Sequence, residues 1–145
     1  MVDQASETLV IGAGKASVMK VIADFESYPQ WVDIVKQAEI VATDAEGRAT
    51  RVRFLLEAGI VRDEYVLAYD WSRPDSVSWH LVQSKAMKSQ DGNYRLTDSG
   101  GSTTVTYDLS VALKMRVLGV FKRKGQRVII DAALTGLKKR VESGS

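Results

Sequence analysis

"DFESYPQWVDIVKQAEIV" (residues 24–41) opens like the end of a helix and closes like a strand, with Tyr28, Pro29 and Trp31 crowded between the two. Just upstream, "GKASVMKVIADFESY" (14–28) sets Val18, Val21, Ile22 and Phe25 on one face at helical spacing. Pro29 is expected to end that helix, because the residue before a proline is pushed out of the α region. Downstream, "IVKQAEIVATD" (34–44) has strand character. The short "YPQWVD" turn thus redirects the chain from helix to strand.

Before the helix, "SETLVIGA" (6–13) reads as a first strand. After residue 44 come strand-like runs separated by turn signals: "RATRVRFLLEA", "IVRDEYVLAYDW", "DSVSWHLVQS", "KSQDGNYRLTDSGG" and "STTVTYDLSVALK". Alternate side chains of a strand face opposite sides of a sheet. Val52, Phe54 and Leu56 therefore share a face, as do Val61, Asp63, Tyr65, Leu67 and Tyr69. Val77, Trp79, Leu81 and Gln83 form a third set, and Val105, Tyr107, Leu109 and Val111 a fourth. The closing "LGVFKRKGQRVIIDAALTGLKKRVES" (118–143) returns to helical spacing, with Leu118, Phe121, Ile129, Ala132, Ala133, Gly136 and Leu137 on its apolar face. Consecutive strands joined by tight turns imply an antiparallel sheet, so the class is α+β.

The 145 residues suit one domain, 1–145, with a real core. No basic region followed by an apolar run marks a secretory signal, and no stretch approaches the roughly 18 apolar residues of a membrane span. Cysteine is absent, which excludes disulfides, thiolate metal sites and cysteine catalysis and suits a cytoplasmic protein. With His80 the only histidine, no transition-metal site is expected, and no cofactor. Charge is unevenly spread. Residues 114–140 hold nine Lys/Arg and one acid, Asp131, so they carry +8 and leave −6 on the rest of a chain of net +2.

"GAGKAS" (12–17) follows a strand and opens a helix, which invites a phosphate-loop reading. It fails residue by residue. A phosphate loop needs glycine where Leu9 stands and Ser/Thr where Ala16 stands, and a dinucleotide fingerprint needs glycine at Ser17 and a parallel sheet.

The order strand, two helices, strands, long helix, together with "ADFESYPQWVDIVKQAEIV" and "ALTGLKKRVES", resembles the START-like superfamily of polyketide cyclases/dehydrases and lipid transport proteins. The nearest likeness is to its small bacterial cyclase/dehydrase-like members, in the branch that holds the coenzyme Q-binding proteins. Asp24, Phe25, Tyr28, Pro29 and Trp31, followed by "AEIV" at 38–41, carry it most specifically. The resemblance implies a helix-grip fold: a curved antiparallel sheet of about seven strands around the long C-terminal helix, two short helices after strand 1, and an apolar cavity between sheet and helix. Tyr28 and Trp31 would then plug one end of the sheet or, alternatively, line the cavity mouth.

On that fold the alternation supplies a cavity set of Phe54, Leu56, Asp63, Tyr65, Leu67, Tyr69, Trp79, Leu81, Gln83, Tyr94, Tyr107 and Leu109, joined by Phe121 and Ile129 of the helix. Asp63 stands out, because a buried carboxylate is costly unless hydrogen-bonded or neutralised. It is either a strand-end residue satisfied by water or an arginine, or a general base facing the ligand. The tyrosines are either plain core or the hydrogen-bonding points of a greasy pocket. His80 falls on the outer face. No G-x-S-x-G elbow accompanies the many serines. Lys114, Arg116, Lys122, Arg123, Lys124 and Arg127 interleave with apolar residues, a pattern suited to an anionic membrane surface or to a solvated helix face. Nucleic acid is disfavoured, since no aromatic stacking strip accompanies the charge. Charged outer positions such as Arg51, Arg53, Arg62 and Glu64 argue for a monomer.

Three functions follow, in order: binding or transport of a hydrophobic small molecule (lipid, isoprenoid, quinone or polyketide); a polyketide cyclase/aromatase or dehydratase; and an interaction module using the basic helix.

Overall fold

A computed structural model describes the backbone of residues 3–58, 61–113 and 119–144, and the side chains of 5–57, 62–112 and 129–143. Strand β1 (Asp3–Ile11) leads to helix α1 (Lys15–Ala23), a 3-10 turn at Phe25–Ser27 and a one-turn helix α2 (Tyr28–Trp31). Strands β2 (Val35–Thr43), β3 (Ala49–Ala58), β4 (Val61–Asp70), β5 (Ser76–Ser84), β6 (Met87–Ser99) and β7 (Ser102–Leu113) follow, then helix α3 (Gly119–Gly144). All seven strands form one antiparallel sheet in the order β1-β7-β6-β5-β4-β3-β2, so the chain meanders and only β1 joins from the far side. This is the α+β helix-grip architecture expected from the resemblance.

The alternation read from sequence holds along most of the sheet. Val52, Phe54 and Leu56 of β3 face the same side as Tyr65 and Leu67 of β4, with Phe54 opposite Tyr65 and Val52 opposite Leu67. Tyr69, Trp79, Gly92 and Leu109 run in register across four strands. The helical side of the core comes from Val18 and Ile22 of α1 and from Ile130, Ala133, Leu134, Leu137 and Val141 of α3. That spacing in α3 is the 3–4 repeat of an amphipathic helix with one buried stripe.

Pro29 does something other than expected. Helix α1 stops earlier, at Asp24 (φ −87°, ψ 69°), and Pro29 sits in the first turn of α2, where a missing N–H costs nothing. The two short helices expected after strand 1 are present, but the first ends at Ala23 instead of running to residue 28, and a 3-10 turn joins it to α2. Tyr28 and Trp31 close the core: both are buried, their rings 4.8 Å apart, and the Tyr28 hydroxyl donates to the Ile22 carbonyl. Tyr28 also lines the cavity between sheet and helix, the alternative expected of it, whereas Trp31 does not. Gly136 lets α3 lie against this plug, since a Cβ there would fall 2.3 Å from the Trp31 carbonyl oxygen.

Candidate functional site: an aromatic cavity between sheet and helix

Where α2 and α3 cross the sheet, a cavity of about 50 Å³ remains. Its wall includes Phe54, Leu56, Tyr65, Leu67, Tyr69, Trp79, Tyr94, Tyr107 and Ile129, nine positions predicted from strand and helix periodicity. The rings form two groups bridged by Phe25, which lies 6.3 Å from Phe54 and 4.6 Å from Tyr69. Phe54 stacks on Tyr65 at 5.5 Å, Tyr69 lies 5.7 Å from Trp79, and Trp79 lies 5.4 Å from Tyr94 and 5.5 Å from Tyr107. Such contacts add to area burial and hold rings at fixed tilts.

Burial pushes the phenols of Tyr65, Tyr69, Tyr94 and Tyr107 well above their ordinary range, so all four remain neutral hydroxyls. Tyr107 lies within electrostatic reach of the other three. None of the four hydroxyls hydrogen-bonds to another described residue. The fully buried side-chain polar atoms without a partner among the described residues are instead Trp31 Nε1 and Asn93 Oδ1, so the four phenol oxygens keep some accessible surface at which a water or a ligand can hydrogen-bond.

Two polar residues that periodicity placed here behave differently. Asp63 is buried and on the inner side of β4, opposite Leu56, yet it is not part of the cavity wall. Ser84 Oγ donates to its Oδ2 at 2.6 Å, and the amides of Lys85 and Ala86 donate to Oδ1 at 3.2 and 3.3 Å. Ser84 Oγ in turn accepts from the Ala86 and Met87 amides. The carboxylate thus ties down the β5–β6 turn, which is how its burial is compensated. Gln83, expected in the cavity, is exposed. The β4–β5 register slips between Val66, opposite Gln83, and Leu67, opposite Leu81; Val82 is the extra residue. One inserted residue moves every later side chain to the other face, so Ser84 takes the inward place.

Leu81 is half-buried against the core, and Leu109 is fully buried beneath the wall without reaching the cavity. His80 is exposed on the outer face, opposite Asp91. The side chain of Phe121 and the six basic residues Lys114, Arg116, Lys122, Arg123, Lys124 and Arg127 lie outside the described side chains. Among the described residues no His/Cys/Asp/Glu cluster suits a metal ion.

Periodicity also passed over Gln90, a buried amide in the wall. Its Oε1 accepts the Trp79 indole N–H at 3.1 Å, and its Nε2 donates to Met87 Sδ at 3.3 Å. Counting back by twos from Tyr94 through Gly92 reaches it, so the signal was present.

The chain matches the profile of the polyketide cyclase/dehydrase and lipid transport family over residues 3–142. It belongs to that family. No curated protein matches it. A START superfamily protein from Mycobacterium smegmatis is 24% identical with a TM-score of 0.91, covering 98% of this chain and 99% of its own. A protein from Thermus thermophilus is 19% identical with a TM-score of 0.84 and covers 99% of each chain. The Zhui aromatase/cyclase from a Streptomyces species is 12% identical with a TM-score of 0.81, covering 98% of this chain and 94% of its own. At these identities the structures share the family's fold, and family membership supports a hydrophobic-ligand or cyclase role without naming a substrate. No described helix is long and apolar enough to cross a membrane.

Proposed function

We propose that the protein is a cytoplasmic carrier that binds one hydrophobic small molecule bearing oxygen atoms, of the lipid, isoprenoid, quinone or polyketide kind, in the cavity beneath α3. The observation that carries this reading is the set of four neutral tyrosine hydroxyls without partners among the described residues, in a wall that is otherwise largely aromatic and aliphatic. These oxygens keep accessible surface beside the cavity, where a ligand oxygen could take the place of water as their partner. At about 50 Å³ the cavity admits a few waters, far below the ~300 Å³ of ordinary ligand pockets, so uptake widens it by moving wall side chains.

The test is a titration of the purified protein with ubiquinone-1, farnesol, oleate and 1-naphthol, followed by tryptophan fluorescence and by calorimetry. Saturable one-to-one binding of at least one compound supports the reading; no binding by any sinks it. A cyclase would share the pocket and differ in product. It needs a group that moves protons, and the oxygens of Asp63 are taken up by the β5–β6 turn. Ring closure of a linear poly-β-keto thioester, lost in Asp63→Asn with the fold intact, would establish the enzyme instead.

The basic stretch 114–127 is proposed to dock the carrier at anionic membrane, with on the order of 1 kcal/mol per basic residue near the lipid. Replacing Lys122, Arg123 and Lys124 by Gln should abolish salt-sensitive binding to vesicles containing phosphatidylglycerol. Undiminished binding would remove that part of the proposal.

A further inference from the structure

Gly92 sits in the middle of β6, where glycine weakens a strand and where a turn is not being made. Its φ is not positive, unlike those of Gly47, Gly100 and Gly101, so backbone conformation does not explain it. Space does. A Cβ on Gly92 would fall 2.4 Å from Cζ2, 2.5 Å from Cε2 and 2.7 Å from Nε1 of Trp79, its cross-strand partner. The indole therefore lies flat on the bare backbone of β6 instead of standing up into the cavity. Two residues back on the same face, Gln90 accepts the indole N–H and is itself held by Met87. Trp79 thus shows the cavity a ring face whose only polar atom is already paired.

We infer that Gly92, Trp79 and Gln90 form the depth stop of the pocket, with Trp79 the specificity-determining residue and Gly92 and Gln90 positioning it. This rests on the ligand-binding reading above. The recessed indole sets the largest rigid ring system the pocket takes, and the part of the ligand lying against it makes no hydrogen bond there. The tyrosine hydroxyls grip the oxygen-bearing part.

The experiment measures dissociation constants for 1-naphthol, 9-phenanthrol and 1-hydroxypyrene, planar phenols of rising area, and reads the ratio between largest and smallest rather than either affinity. Trp79→Leu deepens the floor and should shift the ratio toward 1-hydroxypyrene by about tenfold or more, the scale of pocket-size discrimination. Gly92→Ala lifts the indole and should shift it toward 1-naphthol by a similar factor. Gln90→Met keeps the length, removes the acceptor and should flatten the ratio, because the freed indole no longer holds one position. Should Gly92→Ala fail to fold, the Gly92→Ala/Trp79→Leu double variant removes the ring that the new Cβ meets; recovery of the folded state there supports the packing argument. Ratios that stay within twofold of the wild type in folded Trp79→Leu overturn the depth stop while leaving ligand binding standing. Absence of binding by the wild type to all three phenols overturns the depth stop, and the ligand-binding reading falls with it only where ubiquinone-1, farnesol and oleate are not bound either.

Discussion

Asp63 and the four cavity tyrosines share the inner face of the sheet but meet opposite demands. The carboxylate is satisfied by Ser84 and two turn amides, whereas the phenols are not satisfied by described residues at all. Removing the carboxylate by Asp63→Ala would leave the Ser84 hydroxyl and two amides with a lost acceptor in a part-buried site. We expect a loss of about 2 kcal/mol in urea unfolding with ligand affinity within a factor of about three of the wild type. A stable variant that loses binding or turnover would make Asp63 a functional residue. At this scale period-2 alternation made the tyrosines and Trp79 legible, because each lies within a regular run of strand. It failed at Gln83, where one extra residue at Val82 reverses the faces, and register slips of that kind leave no mark in composition. Gly92 was the least legible: an Asp-Gly pair has the look of a turn, and its true reason is a ring from the neighbouring strand.

Helix α3 is fastened at its C-terminal end. Lys138 Nζ donates to the Val10 carbonyl at 2.8 Å and to Glu142 Oε2 at 2.9 Å, and the same oxygen accepts the Gly12 amide at 2.8 Å. The Gly12 amide first, and the Lys138 ammonium second, hold the Glu142 carboxyl below its ordinary value of 4.5. A depressed carboxylate stabilises the fold above the unfolded-state pKa and stops doing so as pH falls through the folded one. Wild-type stability should therefore decline more steeply below about pH 4.5 than that of Glu142→Gln, measured by urea midpoint against pH; parallel curves would show the clamp to be idle. Further along the helix, Gly136→Ala would drive a methyl into the Trp31 carbonyl and should cost about 1–3 kcal/mol of overpacking, read by thermal denaturation; an unchanged midpoint would mean the plug slides freely. The elements themselves were legible from hydrophobic period. Only the α1–α2 break was misplaced, because Pro29 is equally at home starting a helix and following the end of one.

Across the whole molecule all five tyrosines are pushed upward by burial. A phenol whose folded pKa exceeds its unfolded value of 10.0 contributes stability below pH 10 that is lost as pH rises. Tyrosinate absorbance should therefore appear together with loss of circular dichroism above about pH 10, in one cooperative step; phenols titrating near pH 10 in a folded protein would contradict their burial. The fold was legible because a meander of alternating strands closed by one amphipathic helix leaves few topologies open. The ligand was not, since cavity shape is set by packing across strands that are distant in sequence. Native mass spectrometry of the protein purified from its own host, with organic extraction of whatever it holds, is the decisive test of ligand carriage. A stoichiometric apolar companion carrying oxygen is the expected result. An empty protein that also takes up nothing from a mixture of lipids, quinones and planar phenols would contradict it.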